Sequence, residues 1–138
     1  MTIQPGLYRI KNRKSGTYLD ASTKDQGSIH GWSSRPDNDN QKWHVEAFFQ
    51  AFKLKNAKFN QYACIRGMED GNKLVLTDDQ NVMNEWDIQD KGNGNYSITS
   101  RKTQQAIDLD GGHAKDGTSV SVYGFHGGEQ QEWQFQRA

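Results

Sequence analysis

Three stretches of the chain alternate an aromatic, a polar residue and an aliphatic: Tyr8-Arg9-Ile10, Phe52-Lys53-Leu54 and Tyr96-Ser97-Ile98. A period of two marks a half-buried strand. The aliphatic members are 44 residues apart in both intervals. Three further stretches close alike, on Gln41-Lys42-Trp43, Asn84-Glu85-Trp86 and Gln131-Glu132-Trp133, with the tryptophans 43 and 47 residues apart. Three of the four tryptophans thus occupy one repeated position, where a large ring is expected to pack a common core. Between opening and closing lie short runs such as Thr17-Tyr18-Leu19, Leu74-Val75-Leu76, Gln105-Ala106-Ile107 and Ser119-Val120-Ser121-Val122-Tyr123. Turn residues separate them, as in Lys91-Gly92-Asn93-Gly94-Asn95. No window sustains helical spacing. The pattern predicts an all-β barrel or sandwich of about twelve short strands, four per repeat. One domain is expected over residues 1–138, with repeats at about 6–47, 48–91 and 92–138.

Composition narrows the function classes. Basic and acidic residues number 17 each, which removes any general electrostatic claim on nucleic acid or anionic lipid. Leu, Ile, Val and Phe make up 24 of 138 residues, a thin aliphatic share that alone would suggest disorder. Zero net charge and 15 aromatic residues argue for a folded domain instead. No apolar run is long enough for membrane insertion or for a leader in the first thirty residues. Cys64 is the single cysteine, so no disulfide forms within the chain. A cytoplasmic location, or release by a non-classical route, is the expectation. The four histidines show no metal-ligand spacing, and no cofactor or metal is expected.

The repeats and their closing motifs resemble the ricin-B-type β-trefoil lectins over nearly the whole chain, Gly6 to Phe135. The disulfide-free, leaderless character is similar to fungal members of that family. The resemblance implies a β-trefoil: a six-stranded barrel capped by three hairpins about a pseudo-threefold axis. It also implies a shallow pocket on each repeat for galactose-type sugars. Such a pocket needs an aspartate early in the repeat, a polar residue two before an aromatic, that aromatic, and an Asn-Gln pair before the closing tryptophan. The chemistry is direct. The axial 4-hydroxyl of galactose leaves a C–H patch on one face, which stacks on an aromatic ring. A carboxylate accepts charge-assisted hydrogen bonds from neighbouring hydroxyls, and an amide both donates and accepts.

In the first repeat Asp20 lies ten residues after Ile10. It is the expected hydroxyl acceptor, with Trp32 as stacking platform, Asn40 as partner of the 3-hydroxyl, His30 as a flanking polar contact and Gln41 bracing Asp20. In the third repeat Asp108 keeps the same offset from Ile98. Tyr123 takes the platform position, Ser121 the flanking one, and Gln130-Gln131 the place of the Asn-Gln pair. In the second repeat that offset lands on Cys64, the platform position on Thr77 and the pair on Met83-Asn84. This leaf should be silent, although Asp70, Asp78 and Asp79 lie near. Arg35 and His126, beside the pockets, would influence whether galactose or N-acetylgalactosamine is preferred.

The resulting expectation is a non-enzymatic lectin for galactose- or N-acetylgalactosamine-terminated glycans, with two sites per chain. An agglutinin with a defence role, and a homodimer by the habit of small lectins, complete it. The alternative is a β-trefoil protease inhibitor of the fungal defence type. Catalysis is disfavoured because a glycosidase uses a pair of carboxylates and each site carries one in this reading.

Overall fold

Three closing tryptophans set the architecture. Trp43, Trp86 and Trp133 are fully buried, and each indole N–H donates to a backbone carbonyl of its own repeat: Leu19 at 3.0 Å, Ala63 at 3.0 Å and Ile107 at 3.1 Å. A buried indole needs such a partner. Each faces the aromatic that opens a repeat, Tyr8 opposite Trp43, Phe52 opposite Trp86 and Tyr96 opposite Trp133. Ile10, Leu54 and Ile98 fill the space between them with no exposure.

The computed structural model describes residues 2–25 and 27–138; Met1 and Gln26 lie outside the described residues. The first repeat contributes β1 (Gly6–Asn12), β2 (Tyr18–Ala21), β3 (Ile29–Trp32) and β4 (Trp43–Phe48). The second contributes β5 (Ala51–Asn56), β6 (Tyr62–Cys64), β7 (Val75–Thr77) and β8 (Trp86–Gly92). The third contributes β9 (Asn95–Ser100), β10 (Ala106–Leu109), β11 (Thr118–Tyr123) and β12 (Trp133–Arg137). Strands β1, β4, β5, β8, β9 and β12 pair antiparallel in that cyclic order, and β12 returns to β1. Closing the ring leaves no barrel edge unpaired. The hairpins β2–β3, β6–β7 and β10–β11 cap one end. The fold is the β-trefoil that the repeat pattern implies.

The cap places side chains from different repeats side by side. The second-repeat segment before β7 runs along β11, with Gly71 N–H donating to Val122 O at 2.8 Å and Val122 N–H to Asn72 O at 2.9 Å. The third-repeat segment before β11 meets β3 through Gly117 N–H and Gly31 O at 2.9 Å. The first-repeat segment before β3 meets β7 through Leu76 N–H and Gly27 O at 2.8 Å. Gly27, Gly71 and Gly117 have φ of +94°, +89° and +91°, a conformation that glycine alone adopts freely. Each bonds the residue immediately before a platform position, so a segment of another repeat lies alongside each platform strand, and at the third cavity that segment brings Asp70 onto the wall.

Candidate functional site

The first site is built on the β2–β3 hairpin and the short 3₁₀ turn Asp39–Gln41. Asp20 and His30 face each other across the hairpin, and His30 Nε2 lies 2.8 Å from Asp20 Oδ1. Asn40 Nδ2 and Gln41 Nε2 donate to Asp20 Oδ2 at 3.0 and 2.9 Å. The carboxylate is therefore fixed on both oxygens. Trp32 stands beside His30 with ring centroids 5.0 Å apart. Asp20, His30, Trp32 and Asn40 wall an open cavity of about 300 Å³, joined by Lys24 and Arg35. Of the five residues the sequence assigns here, four share the cavity. Gln41 is fully buried behind it: besides Asp20 it donates to Ser33 O at 2.9 Å and accepts from Arg35 N–H at 2.8 Å. It is a brace, as its position two residues before the core tryptophan implies.

The third site repeats this frame with different furniture. Gln131 Nε2 donates to Asp108 Oδ2 at 2.9 Å and to Gly124 O at 3.1 Å, while its Oε1 accepts from His126 N–H at 3.0 Å. Asp108, Tyr123 and Gln130 wall an open cavity of about 420 Å³. His126 Nε2 lies 3.9 Å from Asp108 Oδ2. Gly128 N–H donates to His126 Nδ1, which leaves Nε2 to carry the ring proton toward the carboxylate. Burial pushes the Asp108 carboxyl above its ordinary value of 3.8, against the pull of Gln131 and His126, and the neighbouring Asp110 adds to the push. Ser121 lies opposite Asp108 across the hairpin, as His30 lies opposite Asp20, but it is buried and not on the cavity wall. A short hydroxymethyl does not span the distance that an imidazole covers.

The sequence reading gives each site one carboxylate. The third cavity has three, because Asp70 and Asp110 also line it. Asp110 lies two residues after Asp108 in the sequence. Asp70 comes from the second repeat, and no local pattern announces it. It does not serve the second leaf. There Cys64 and Thr77 are buried, and burial pushes the Cys64 thiol up. Among the described residues no group of three or more His, Cys, Asp or Glu is arranged to hold a metal.

The family model for the ricin-type beta-trefoil lectin domain-like family matches residues 1–77, 50–123 and 83–138, overlapping spans that together cover the chain. The chain belongs to the ricin-type beta-trefoil lectin family. Membership of a lectin family makes carbohydrate binding its general function. Among solved structures, the ricin B-like lectin of Macrolepiota procera, seen in complex with lactose, is 31% identical with full coverage of both chains and a TM-score of 0.90. The Rhizoctonia solani agglutinin is 24% identical over 100% of this chain and 99% of its own, with a TM-score of 0.87. The same fold serves a proteinase inhibitor from Coprinopsis cinerea, 15% identical over 99% of this chain and 100% of its own, with a TM-score of 0.79. No curated protein matches the sequence significantly.

Proposed function

We propose that the chain is a non-enzymatic lectin whose first and third repeats each bind terminal galactose or N-acetylgalactosamine, the second repeat being silent. One observation carries the reading. The same pairing of a braced, inward-anchored carboxylate with an adjacent ring recurs at two pseudo-equivalent places, Asp20 with Trp32 and Asp108 with Tyr123, and at both it lines an open cavity. In this reading the carboxylate takes the 3- and 4-hydroxyls, and the ring takes the C–H face that an axial 4-hydroxyl exposes. An equatorial 4-hydroxyl would leave the carboxylate desolvated and unpaired, at a cost of about 1–3 kcal/mol. Open pockets of this size give weak single-sugar binding, and two of them on one rigid body give avidity on glycan-dense surfaces. Agglutination, a defence role and homodimerisation belong to the same proposal, as does a cytoplasmic or non-classically released location.

The test is retention on a galactose matrix and red-cell agglutination by the native chain and by Asp20→Ala/Asp108→Ala, with circular dichroism confirming that the variant stays folded. The reading expects retention and agglutination to disappear together. Full retention by the folded double variant overturns it. Two added assays address the rivals. Release of free sugar from a labelled galactoside would make the third cavity's carboxylates catalytic. Inhibition of a serine or cysteine protease at micromolar concentration would favour the inhibitor reading.

A further inference from the structure

The two cavities carry opposite charge, and a cross-repeat residue adds a third carboxylate to the acidic one. Around the first, the ionisable wall is Asp20, Lys24, His30 and Arg35. Both oxygens of Asp20 are occupied by His30, Asn40 and Gln41. Lys24 and Arg35 are exposed and form no ion pair among the described residues, so their charge is open to a ligand. Around the third, the ionisable wall is Asp70, Asp108, Asp110 and His126, with no lysine or arginine among the described residues.

Pseudo-symmetry explains why Asp70 faces the cavity. Its counterpart in the third repeat is Asp116: each precedes a left-handed glycine, Gly71 or Gly117, and each bonds the residue that follows a platform ring. Asp116 accepts Ser33 N–H at 2.7 Å through Oδ1 and the Ser33 hydroxyl at 3.1 Å through Oδ2, so both oxygens are consumed. Asp116 does not line the first cavity. At the equivalent place the third repeat has Gly124, which offers a backbone N–H and no hydroxyl. Asp70 Oδ1 takes that N–H at 3.0 Å and Gln105 Nε2 at 2.8 Å. Its Oδ2 has no hydrogen-bond partner among the described residues, and the side chain lines the cavity.

We propose that the two sites sort galactosides by charge: the first takes galactose carrying an anionic substituent through Lys24 and Arg35, and the third rejects it through Asp70. This rests on the galactose-site reading above. A substituent on the 6-hydroxyl suits the test, because it leaves the 3- and 4-hydroxyls free for Asp20 or Asp108. Unit charges at sugar-substituent distances across a solvated pocket change binding by roughly three- to tenfold at low salt.

The experiment isolates each site by removing the other's platform ring: Tyr123→Ala leaves the first, Trp32→Ala the third. Each variant is titrated with lactose, with lactose sulfated at the galactose 6-hydroxyl, and with lactose capped there by a sialic acid. The first site is expected to bind both anionic probes about three- to tenfold more tightly than lactose, and the third more weakly by a similar factor. Lys24→Ser/Arg35→Ser in the Tyr123→Ala background should move the first site's anionic-to-neutral ratio toward one, and Asp70→Asn in the Trp32→Ala background should do the same for the third. Raising the salt to about 1 M should collapse both ratios, which a steric cause would not do. Equal ratios at the two sites, a preference for one anionic probe and not the other, or ratios unmoved by salt would each overturn the proposal while lactose binding stands. Absence of lactose binding at both sites would instead overturn the galactose reading itself.

Discussion

Gln41 is the residue whose removal most sharply tests how the first site is held. Its side chain is fully buried and makes four hydrogen bonds: to Asp20 Oδ2 at 2.9 Å, Ser33 O at 2.9 Å, from Arg35 N–H at 2.8 Å and from Arg9 Nη2 at 3.3 Å. Gln41→Met keeps the length and nearly the volume, so the packing loss is small. What goes is the polar network. The bond to the carboxylate is charge-assisted and contributes about 1.5–3 kcal/mol; the long one from the charged Arg9 guanidinium and the two neutral ones contribute about 1 kcal/mol each, of which water recovers part at exposed Ser33 and Arg35. The expected cost is about 3–5 kcal/mol, or roughly 10–20 °C in Tm for a domain of this size. Thermal unfolding by circular dichroism and urea titration read it. Gln131→Met should cost nearly as much, since it loses bonds to Asp108, Gly124 and His126. Asn84→Leu should cost about 1 kcal/mol, because Asn84 keeps one long side-chain bond, to Gln80 at 3.3 Å. A Gln41→Met cost below about 1 kcal/mol, or one equal to Asn84→Leu, would refute the brace argument.

Four further outcomes follow from the same structure. The Trp32→Ala variant, with only the third site left, should lose lactose as pH falls through a midpoint above 3.8, because Asp108 must be ionised to accept hydroxyls and burial raises its pKa; a midpoint below 3.8 contradicts this. The stability sign is opposite: the raised carboxyl favours the fold below its ordinary value and loses that contribution as pH rises through the raised one. The deficit of Asp108→Ala in urea unfolding should therefore be smaller at pH 7 than at about pH 3.5. Of the four indole N–H protons, those of Trp43, Trp86 and Trp133 should exchange slowly behind their carbonyl bonds. Trp32's should exchange fast and should be the one that lactose shifts by nuclear magnetic resonance. Cys64→Asp should destabilise by several kcal/mol, since it buries a carboxylate with neither Gln nor His to hold it, and should create no third lactose site by calorimetry.

The barrel was legible because its determinants are local and repeated. The ring at Trp43, Trp86 and Trp133 and the aliphatic at Ile10, Leu54 and Ile98 recur at near-constant spacing, and each does the same packing work in its repeat. The ten-residue offset carried Asp20, Asp108 and Cys64 to the same hairpin position for the same reason. What escaped depends on contacts between repeats. Asp70 reaches the third cavity only because the segment before β7 lies along β11, and nothing near Asp70 in sequence encodes that neighbour. Its free oxygen depends on Gly124 standing where the first repeat has Ser33, a difference that means nothing until the two places are superposed by the fold. Ser121 fails for a different reason: it keeps the correct register but lacks the length of His30, so register alone did not place a side chain in the pocket.

The most direct measurement of the two-site account is the stoichiometry of lactose binding by calorimetry across four proteins. Two lactose molecules are expected per native chain, one for Trp32→Ala, one for Tyr123→Ala and none for the double variant, all four retaining the folded spectrum. Lactose still bound by the folded double variant, or a native stoichiometry of one or three, would contradict it.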